Sequence, residues 1–373
     1  MIFTQRDITV LRLLGWCQYV WDKDLNGVAT DTELYNLMAL GLVKRHEKSG
    51  ALILTGKGHE LLQDLIGAEY FKPAMSYHDY AIQRRLRLSG LAITAYRGGV
   101  EIFKTVPEEL SLAPTLFLST VTRGRGSNPW GSTRVAAIAH LGNVFYAMHY
   151  VCPGIGKVAL IDELSAFSNQ TARFRKAERA FIFAGDSYRD VLTELERPPD
   201  KDDAKLLSYG GVYRCLQMPV HLLSCDSTGA VQLQIMAVPN YRTKLTRAAL
   251  KSQYHPPPPE VLEWDAIFQG APFVLAADMD LRRVDAAIRT ARAQGHRQIA
   301  MAGLEGQAER VLFPRYRDVG LARVFVLTAD AIKETTGRKP VPYSPPHTQF
   351  TTSKGDVVDA PPVQTHRKTG RSP

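Results

Sequence analysis

Acidic side chains are the first candidates for chemistry in this sequence, because carboxylates that converge on Mg²⁺ beside a lysine can cleave a phosphodiester bond. A nuclease of this kind would carry an acid on one strand and an acid-x-lysine motif on the next. Asp162 and Glu163 follow one predicted strand, and Asp226 follows another. After Asp226, Gln232 and Gln234 stand where the acid and the lysine would be needed. This pattern favours an inactive fold or no relation to nucleases.

A second acidic pair, Asp278 and Asp280, follows a predicted strand at residues 272–276. The carboxyl ends of strands in α/β sheets commonly bind ligands, so the pair could belong to a site. The simpler interpretation is local: Asp280 caps the helix that begins at Leu281, and Asp278 hydrogen-bonds the loop. The sequence favours this local interpretation.

Histidines and glycine-rich loops give no further catalytic motif. His140 and His149 lie on predicted strands among aromatic neighbours, which is typical of core or edge histidines. Residues 123–128 form a basic loop that could contact phosphates or be a surface turn. No Walker-type loop or GxGxxG motif stands between a strand and a helix. The sequence therefore predicts no catalytic residue, no metal and no cofactor.

Cysteine usage and hydropathy indicate the compartment. The four cysteines, Cys17, Cys152, Cys215 and Cys225, show no CxxC spacing, so neither a zinc site nor a disulfide framework is indicated. No apolar run of about 18 residues could span a bilayer, and the N-terminus lacks the features of a secretory signal. We expect a cytoplasmic globular protein with no membrane partner. Its 373 residues, 45% of them hydrophobic, suffice for two domains with cores of their own.

The elements that could position functional residues are clearest in the first 66 residues. Thr4 and Thr30 are each followed three residues later by an acid, a pattern that predicts a capped helix start. The second helix, ending at Gly41, is the candidate recognition helix. Residues 43–47 and 51–54 form a hairpin, and Thr55 caps a last helix. This order of helices and hairpin predicts a winged helix-turn-helix, with the hairpin as the wing.

The rest of the chain predicts an α/β domain, so that the fold class is α/β, or α+β overall. Strands at residues 115–121, 135–140, 143–151 and 158–161 suggest a meander. After a helix at 169–176, strand 180–184 and a helix at 187–195, two strands at 220–224 and 231–238 are predicted, joined by a turn at 226–229. The closing unit alternates strand 272–276, helix 281–294, strand 298–302, helix 306–313 and strand 322–327. Such alternation predicts parallel pairing.

Four segments follow from these elements: a winged-helix domain at 1–72, a connecting helical segment at 73–115, the α/β domain at 116–336 and a tail at 337–373. The tail is rich in Pro, Thr and Lys and is predicted to be disordered. Residues 333–373 carry seven basic and three acidic groups, which supplies +4 of the formal charge of +9. The folded part is therefore only mildly basic.

The stretches Thr4 to Leu14, Leu37 to Arg45, and Leu54-Thr55-Gly56-Lys57-Gly58 with Leu61-Leu62 together resemble the replication-relaxation family. These are proteins of plasmids and integrative mobile elements in which a winged helix precedes an α/β domain. The likeness covers about a fifth of the chain. Farther along it rests on order: an arginine-rich helix at 83–89, strands at 117–122 and 144–150, and the closing unit. The resemblance implies a non-catalytic DNA-binding accessory or regulatory protein of a mobile element, acting in replication, relaxation, transfer or transcriptional control.

Charge leaves DNA binding open, because a phosphate backbone is met by clustered Lys and Arg. Residues 1–66 carry seven basic and eight acidic side chains, a net charge of −1. The predicted contacts fall into three groups: Thr32, Tyr35 and Asn36 on the recognition helix; Lys44, Arg45, Lys48 and Lys57 around the wing; and Arg84, Arg85 and Arg87 on the next helix. The last three fit either an extended DNA surface or the solvated face of a connecting helix.

Double-stranded DNA is therefore the expected partner, with a second copy of the chain and the replication or transfer proteins of the element as further partners. Two alternatives stay open. One is a metal-dependent nuclease with a restriction-endonuclease-like domain. The other is a protein-interaction scaffold that uses the winged helix for dimerisation. It would be favoured if the winged-helix surface were acidic and the recognition helix were buried against the α/β domain.

Overall fold

Our computed structural model describes residues 3–67, 70, 78–104, 114–119, 135–151, 167, 178–198, 209–343, 350–351 and 357–358. Several sequence predictions lie outside these residues. They are the strand at 158–161, the helix at 169–176, the basic loop at 123–128, and the acids Asp162 and Glu163.

Capping boxes begin the first two long helices, as predicted. At α1 (Gln5–Cys17), the Thr4 hydroxyl accepts from the Asp7 amide at 3.1 Å, and the Asp7 carboxylate accepts from the Thr4 amide at 2.9 Å. At α2 (Asp31–Ala39), Thr30 and Glu33 exchange the same two bonds at 3.2 and 2.7 Å. Each box satisfies amides that a helix start leaves without acceptors.

The predicted hairpin is β1 (Val43–Arg45) paired antiparallel with β2 (Leu52–Leu54). Val20, just after α1, pairs with Leu52 and adds a third strand position to the hairpin. A 3-10 turn, Asp22–Leu25, lies between Val20 and α2. Thr55 then caps α3 (Gly56–Ile66), because its hydroxyl accepts from the Gly58 amide at 3.1 Å. We refer to residues 3–67 as the N-terminal module.

A five-stranded mixed sheet follows α4 (Asp79–Arg97), a helix that contains the arginine-rich stretch predicted at residues 83–89. Its strands are β3 (Thr115–Leu118), β4 (Ala137–Leu141), β5 (Val144–Tyr150), β6 (Glu178–Gly185) and β7 (Val220–Ser224), in that order across the sheet. The first three pair antiparallel, as the predicted meander requires, and its fourth strand at 158–161 lies outside the described residues. The last two add in parallel.

Two of the described helices lie between β6 and β7 in the chain, α5 (Tyr188–Leu195) and α6 (Tyr209–Cys215), and two follow β7, α7 (Ser227–Met236) and α8 (Tyr241–Leu250). The prediction of a strand at 231–238 is wrong, because these residues belong mainly to α7. The turn expected at 226–229 is the helix start, where the Asp226 carboxylate accepts from the Gly229 amide at 3.0 Å. Every residue of α7 is buried, so the sequence shows no polar stripe with helical period.

The second sheet has four strands: β8 (Ala266–Phe268), β9 (Ala271–Leu275), β10 (Ile299–Gly303) and β11 (Ala322–Val326), in the order β11-β10-β9-β8. The strands β9, β10 and β11 are parallel, as the alternation of elements predicted. Helix α9 (Leu281–Ala293) connects β9 to β10, and a helical segment with a π turn at Ala308–Leu312 connects β10 to β11. A final helix, α10 (Ala329–Thr336), ends at Gly337.

One hydrophobic core joins the N-terminal module to the five-stranded sheet. On β6, Ala180, Ile182 and Ala184 share a cluster with residues of α1, α2 and α4. The alternating Phe181 and Phe183 face a second cluster that includes β9, β10 and α9. Residues Met1–Val341 form one compact unit and Pro342–Pro373 another. The domain boundaries predicted near residues 72 and 115 lie inside the first unit and stay predictions.

The second unit includes a short antiparallel pair, β12 (Phe350–Thr351) with β13 (Val357–Val358). The predicted disorder of residues 337–373 falls mostly on residues outside the described ones. Within the described ranges, no helix is both long and apolar enough to cross a membrane.

Candidate nucleic-acid interface

Helix α2 turns one polar face outward. Thr32, Tyr35 and Asn36 are all exposed, and their spacing places them on the same side of the helix. Tyr35 exposes 70% of its surface, although tyrosine is large and partly apolar. Leu34 and Leu37 are buried on the opposite side. The candidate recognition helix therefore exposes its polar face, so burial of this face against the α/β domain, which would favour the scaffold alternative, is not observed.

Two lysines of the hairpin are exposed within the N-terminal module. Lys44 lies on β1 and Lys48 lies in the turn between β1 and β2. Neither lysine forms an ion pair with any residue that the structure describes. Their charges are therefore available to an external anion.

Arg45 differs from its neighbour Lys44. Its Nη1 and Nη2 atoms donate to the two carboxylate oxygens of Asp22 at 3.1 and 2.5 Å. Nη1 also donates to the carbonyl oxygen of Gly50 at 3.1 Å. This bidentate pair links the 3-10 turn to the hairpin and offsets the charge that was predicted to contact phosphate.

Lys57 connects α3 to the end of α2. Its Nζ atom donates to the carbonyl oxygen of Leu40 at 3.1 Å, directly after the last residue of α2. A cation at this position stabilises the negative end of the helix dipole. The side chain remains exposed, so its ammonium group is held in place next to the candidate recognition helix.

The two acids of α2 play different roles. Glu33 belongs to the capping box, and its other carboxylate oxygen lies 3.5 Å from Nε of Arg6. Asp31 is exposed in the first turn and has no ion-pair partner among the described residues. Asp31 is therefore the acid of this helix that would repel a phosphate most strongly.

The three arginines of α4 are half-buried. Nη2 of Arg84 donates to the Ser119 hydroxyl at 3.3 Å. Burial lowers the pKa of Arg85, which lies near Tyr19. Arg87 is also half-buried and has no hydrogen bond within the described ranges. Partial burial limits what these side chains can offer to DNA.

A groove of about 560 Å³ lies beside the module. It is lined by Arg6 and Thr9 of α1, by Gly27 and Val28 just before α2, and by Arg97, Glu101 and Arg338 among others. Gly27 and Gly99 both have positive φ. A Cβ atom at Gly99 would lie 2.0 Å from Nη1 of Arg338, and a Cβ atom at Gly27 would lie 3.4 Å from Nη2 of Arg97. The groove is lined by three arginines and one acid, Glu101, so its charge is positive.

Of the three carboxylates in the nuclease hypothesis, the structure describes only Asp226. Asp226 caps α7, accepts from the Ser224 hydroxyl at 2.7 Å, and pairs with Arg310 at 2.9 Å. The strands β4 and β5 contain no Asp, Glu or Lys. Among the described residues, no group of three or more His, Cys, Asp and Glu side chains could hold a metal ion.

The local roles expected for Asp278 and Asp280 are confirmed. Asp280 accepts from the Arg283 amide at 3.1 Å and caps α9, while Oδ1 of Asp278 accepts from the Asp280 amide at 3.3 Å. Asp278 is also fully buried, and its Oδ2 accepts from Nε of Arg242 and from the Tyr241 hydroxyl, both at 2.7 Å. Burial would raise the pKa of Asp278, but the charges of Arg242 and Arg283 outweigh it and hold that pKa well below its usual value.

His149 is a core histidine, as the sequence indicated. It is buried and stacked on Phe181 with ring centroids 5.5 Å apart. Burial lowers the pKa of His149 to about 4, so the ring is neutral at pH 7. His140 stacks on Phe145 at the hairpin between β4 and β5. Burial also raises the pKa of the Cys17 thiol to about 12, which makes this thiol unreactive.

Sequence reasoning missed the partners that decide which cations are available. The Asp22–Arg45 pair and the Lys57–Leu40 bond join residues 23 and 17 positions apart. It also missed the buried network around Asp278, because Tyr241 and Arg242 are 36 or more residues away. The acid-x-acid pattern at 278–280 was the available signal, and it gave no indication of these partners.

No protein-family model, curated protein or solved structure matches the chain.

Proposed function

We propose that the chain is a non-catalytic DNA-binding protein whose N-terminal module is a winged helix. The observation that carries the proposal is the bare polar face of α2, with Tyr35 70% exposed, next to lysines that have no acidic partner among the described residues. A helix of this kind fits the major groove of duplex DNA, whose base edges offer hydrogen-bond donors and acceptors.

The order of the helices, the turn and the hairpin along the chain supports a winged helix more strongly than the presence of the helices does. Helix α1, the strand position at Val20, the 3-10 turn, α2 and the hairpin follow each other in the chain, and Val20 pairs with β2. In this proposal the 3-10 turn replaces the middle helix, α2 is the recognition helix, and the hairpin is the wing.

In the complex, α2 lies in the major groove with Tyr35 and Asn36 near base edges, and Thr32 near the backbone. Lys44, Lys48 and Lys57 contact phosphates, which fixes the register of the protein on the duplex. Arg45 contributes less, because Asp22 already offsets its charge. The groove lined by Arg6, Arg97 and Arg338 offers a further cationic surface next to α1.

The biological setting comes from the resemblance to the replication-relaxation family. It supports a role as an accessory or regulatory factor of a mobile element, with duplex DNA of that element as the target. The contacts above are compatible with replication, transfer or transcriptional control, and a self-associated form would bind paired half-sites.

The test is a mobility-shift assay on the full chain, with random and element-derived duplexes across a salt series. We expect the Lys44→Ala, Lys48→Ala, Lys57→Ala triple variant to bind more weakly. The slope of log affinity against log salt should fall by about 0.9 for each phosphate that a lysine no longer neutralises. Asn36→Ala should instead reduce the preference for the specific duplex and leave the slope unchanged.

A matched control removes three exposed cations elsewhere: Arg189→Ala, Arg292→Ala, Arg297→Ala. This variant changes the net charge by the same amount, so it separates a defined contact surface from nonspecific attraction. Equal losses of affinity in both triple variants, or unchanged binding in the lysine variant, would remove the module as the DNA-binding surface.

A further inference from the structure

Strand β11 is an edge strand of the four-stranded sheet. It pairs in parallel with β10, and within the described ranges no strand lies on its other side. The opposite edge strand, β8, is bridged by His255 through its residue Ile267. An edge strand carries a row of backbone N–H and C=O groups without strand partners, so it can pair with another chain. We therefore examine β11 as a contact surface.

The register with β10 decides which backbone groups of β11 point outward. The Ile299 amide donates to the carbonyl oxygen of Leu321, and the Leu327 amide donates to that of Gly303, both at 2.9 Å. Alternate residues of a strand bond to the neighbouring strand, so the odd-numbered residues of β11 direct their backbone groups toward β10. Val324, at the centre of the strand, therefore directs its amide and carbonyl groups away from the sheet.

The side chains of β11 lack the features that usually protect a sheet edge. Natural edge strands carry several charges, a proline or a bulge. The stretch from Leu321 to Leu327 reads Leu-Ala-Arg-Val-Phe-Val-Leu, with one charge and no proline, and β11 pairs with β10 without a bulge. Phe325 and Val326 are 41% and 47% exposed, although both are apolar. An edge of this composition is expected to be covered by another strand.

Arg323 and Phe325 lie on the same face of the sheet, because they are two residues apart on one strand. Arg323 is exposed, and its guanidinium forms no hydrogen bond or ion pair with any residue that the structure describes. On the opposite face, Ala322 and Val324 pack against the hydrophobic cluster that contains α9. One face of the edge thus carries a cation and an exposed aromatic ring side by side.

We propose that β11 pairs antiparallel with β11 of a second copy of this chain, so that the two four-stranded sheets become one continuous sheet across a two-fold axis. The axis passes beside Val324, whose outward amide and carbonyl groups bond to those of Val324 in the second copy. Arg323 then lies opposite Phe325 of the second copy, and by symmetry Phe325 lies opposite Arg323. The proposal does not rest on DNA binding by the N-terminal module.

This register makes the edge complementary to itself. Facing residues without mutual hydrogen bonds have Cα atoms about 4.5 Å apart in an antiparallel pair, which brings each Arg323 guanidinium close to a Phe325 ring. A guanidinium over an aromatic ring is attracted by the electrons of the ring. A strand of another protein would supply this match only by chance, whereas a second copy supplies it twice.

Only this register pairs all five residues of β11, because Val324 is the central residue of the strand. Moving the axis to Arg323 would place two arginines opposite each other, and like charges that face each other across two strands are destabilising. Moving the axis to Phe325 would leave only the last part of the strand paired. The length of the strand and the position of its one charge therefore select the same register.

Self-association of the full chain is measured by sedimentation equilibrium. A five-residue strand edge is a short contact, and interfaces that bury less than about 1,200 Å² in total are typical of weak complexes. We expect a dissociation constant on the order of 10–100 µM. The protein is therefore studied at concentrations up to about 500 µM, several times this constant.

Cysteine cross-linking tests the occupant and the register together. The variants Arg323→Cys and Phe325→Cys are prepared as separate full-length chains and mixed under mild oxidation. We expect a disulfide-linked dimer, because a Cα separation of about 4.5 Å suits a disulfide. Either variant alone should cross-link no more than the parent, which has four cysteines of its own. A mixture of Arg323→Cys with Leu262→Cys, at a side chain that is 86% exposed, is the matched control.

A pair of charge variants tests the contact without cysteines. Phe325→Arg places a second cation opposite Arg323 of the other copy, whereas Phe325→Glu places an acid there. Both variants lose the same ring, so only the sign of the new charge differs between them. Because symmetry gives two such pairs, Phe325→Arg should dimerise about tenfold or more weakly than Phe325→Glu. Circular dichroism spectra and melting temperatures like those of the parent confirm that both variants fold.

A parent chain that stays monomeric at about 500 µM would overturn the proposal and would leave the edge to a strand of another protein. Equal dimerisation of Phe325→Arg and Phe325→Glu would also overturn it, because the contact would then lie elsewhere, for example at the winged helix. Cross-linking of either cysteine variant alone above the parent level would rule out this register. None of these outcomes bears on DNA binding, which the mobility-shift assay tests separately.

Discussion

Lys44 and Arg45 are adjacent in sequence, yet they differ in what they offer a phosphate, because both nitrogen ends of Arg45 are already bound to Asp22. Residue type alone therefore does not define the candidate interface. The same holds for the two acids of α2, since Glu33 is used in the capping box and Asp31 is not. The partner of each charged group decides whether its charge reaches a ligand.

We expect Asp31→Asn to strengthen DNA binding by about twofold to fivefold, which corresponds to less than about 1 kcal/mol for one exposed like charge. The Thr30 and Glu33 cap is retained, so α2 should remain folded. The measurement is the dissociation constant at low salt, compared with Asp64→Asn on the exposed side of α3. Equal gains in affinity in both variants would mean that only net charge matters.

His149 gives a pH dependence of stability with a defined sign. Its pKa is lowered by burial to about 4 in the folded chain, against about 6.5 unfolded. Between these values the unfolded chain binds a proton that the folded chain does not, so the free energy of unfolding falls as pH falls. From pH 6.5 to 5 this decrease is about 2 kcal/mol.

The half-buried Asp24 contributes with the opposite sign, because desolvation raises its pKa to about 6 and protonation favours the folded chain. Parent and His149→Phe chains share this contribution, which cancels when their denaturant unfolding curves are compared at each pH. We expect the difference between them to change by about 2 kcal/mol between pH 6.5 and 5. A constant difference would show that His149 is not neutral and buried.

At the level of elements, short sequence patterns correctly predicted features that depend on neighbouring residues. The caps at Thr4, Thr30 and Thr55 marked three helix starts correctly, and the alternation of strand and helix predicted the parallel strands β9 to β11. Helix α7 was missed because all its residues are buried, which removes the polar face that reveals a helix.

Gly58 is required by the packing of α3 against the end of α2. A Cβ atom at this position would lie 2.2 Å from the carbonyl oxygen of Leu42, whereas a Cβ atom at Gly56 meets nothing within 4 Å. We expect Gly58→Ala to lower the free energy of unfolding by about 1–3 kcal/mol, as overpacking does. Gly56→Ala should raise it by up to about 1 kcal/mol.

Denaturant unfolding of both glycine variants checks this packing. The two substitutions are identical and lie within one turn of α3, so any effect of helix propensity is common to both. If Gly58→Ala were as stable as Gly56→Ala, α3 would not approach the Leu42 carbonyl as closely as described.

At the scale of the whole molecule, the N-terminal module does not have a hydrophobic core separate from the rest of the chain. Its helices share one hydrophobic cluster with α4 and with one face of the five-stranded sheet. Because the module shares its core with the sheet, it depends on the sheet for its stability, and the proposed experiments therefore use the full chain.

Leu91→Ala tests this dependence, because Leu91 of α4 is fully buried in the shared cluster. We expect the free energy of unfolding to fall by about 2–5 kcal/mol. Amide hydrogen exchange should be faster in both α1 and β5. Leu262→Ala, at a side chain that is 86% exposed, is the matched control and should change stability by less than about 0.5 kcal/mol. Faster exchange in α1 alone would mean that the module has a separate core.

The shared cluster has a thermodynamic consequence for the sheet. Tyr146 of β5 belongs to the same hydrophobic cluster as residues of α1 and α2. A ligand that binds only the folded chain adds RT ln(1 + [L]/Kd) to its stability, about 2.7 kcal/mol at a hundredfold excess over Kd. DNA bound to α2, as proposed above, would therefore lower the frequency with which the distant strands of the sheet unfold. This effect requires no change of shape.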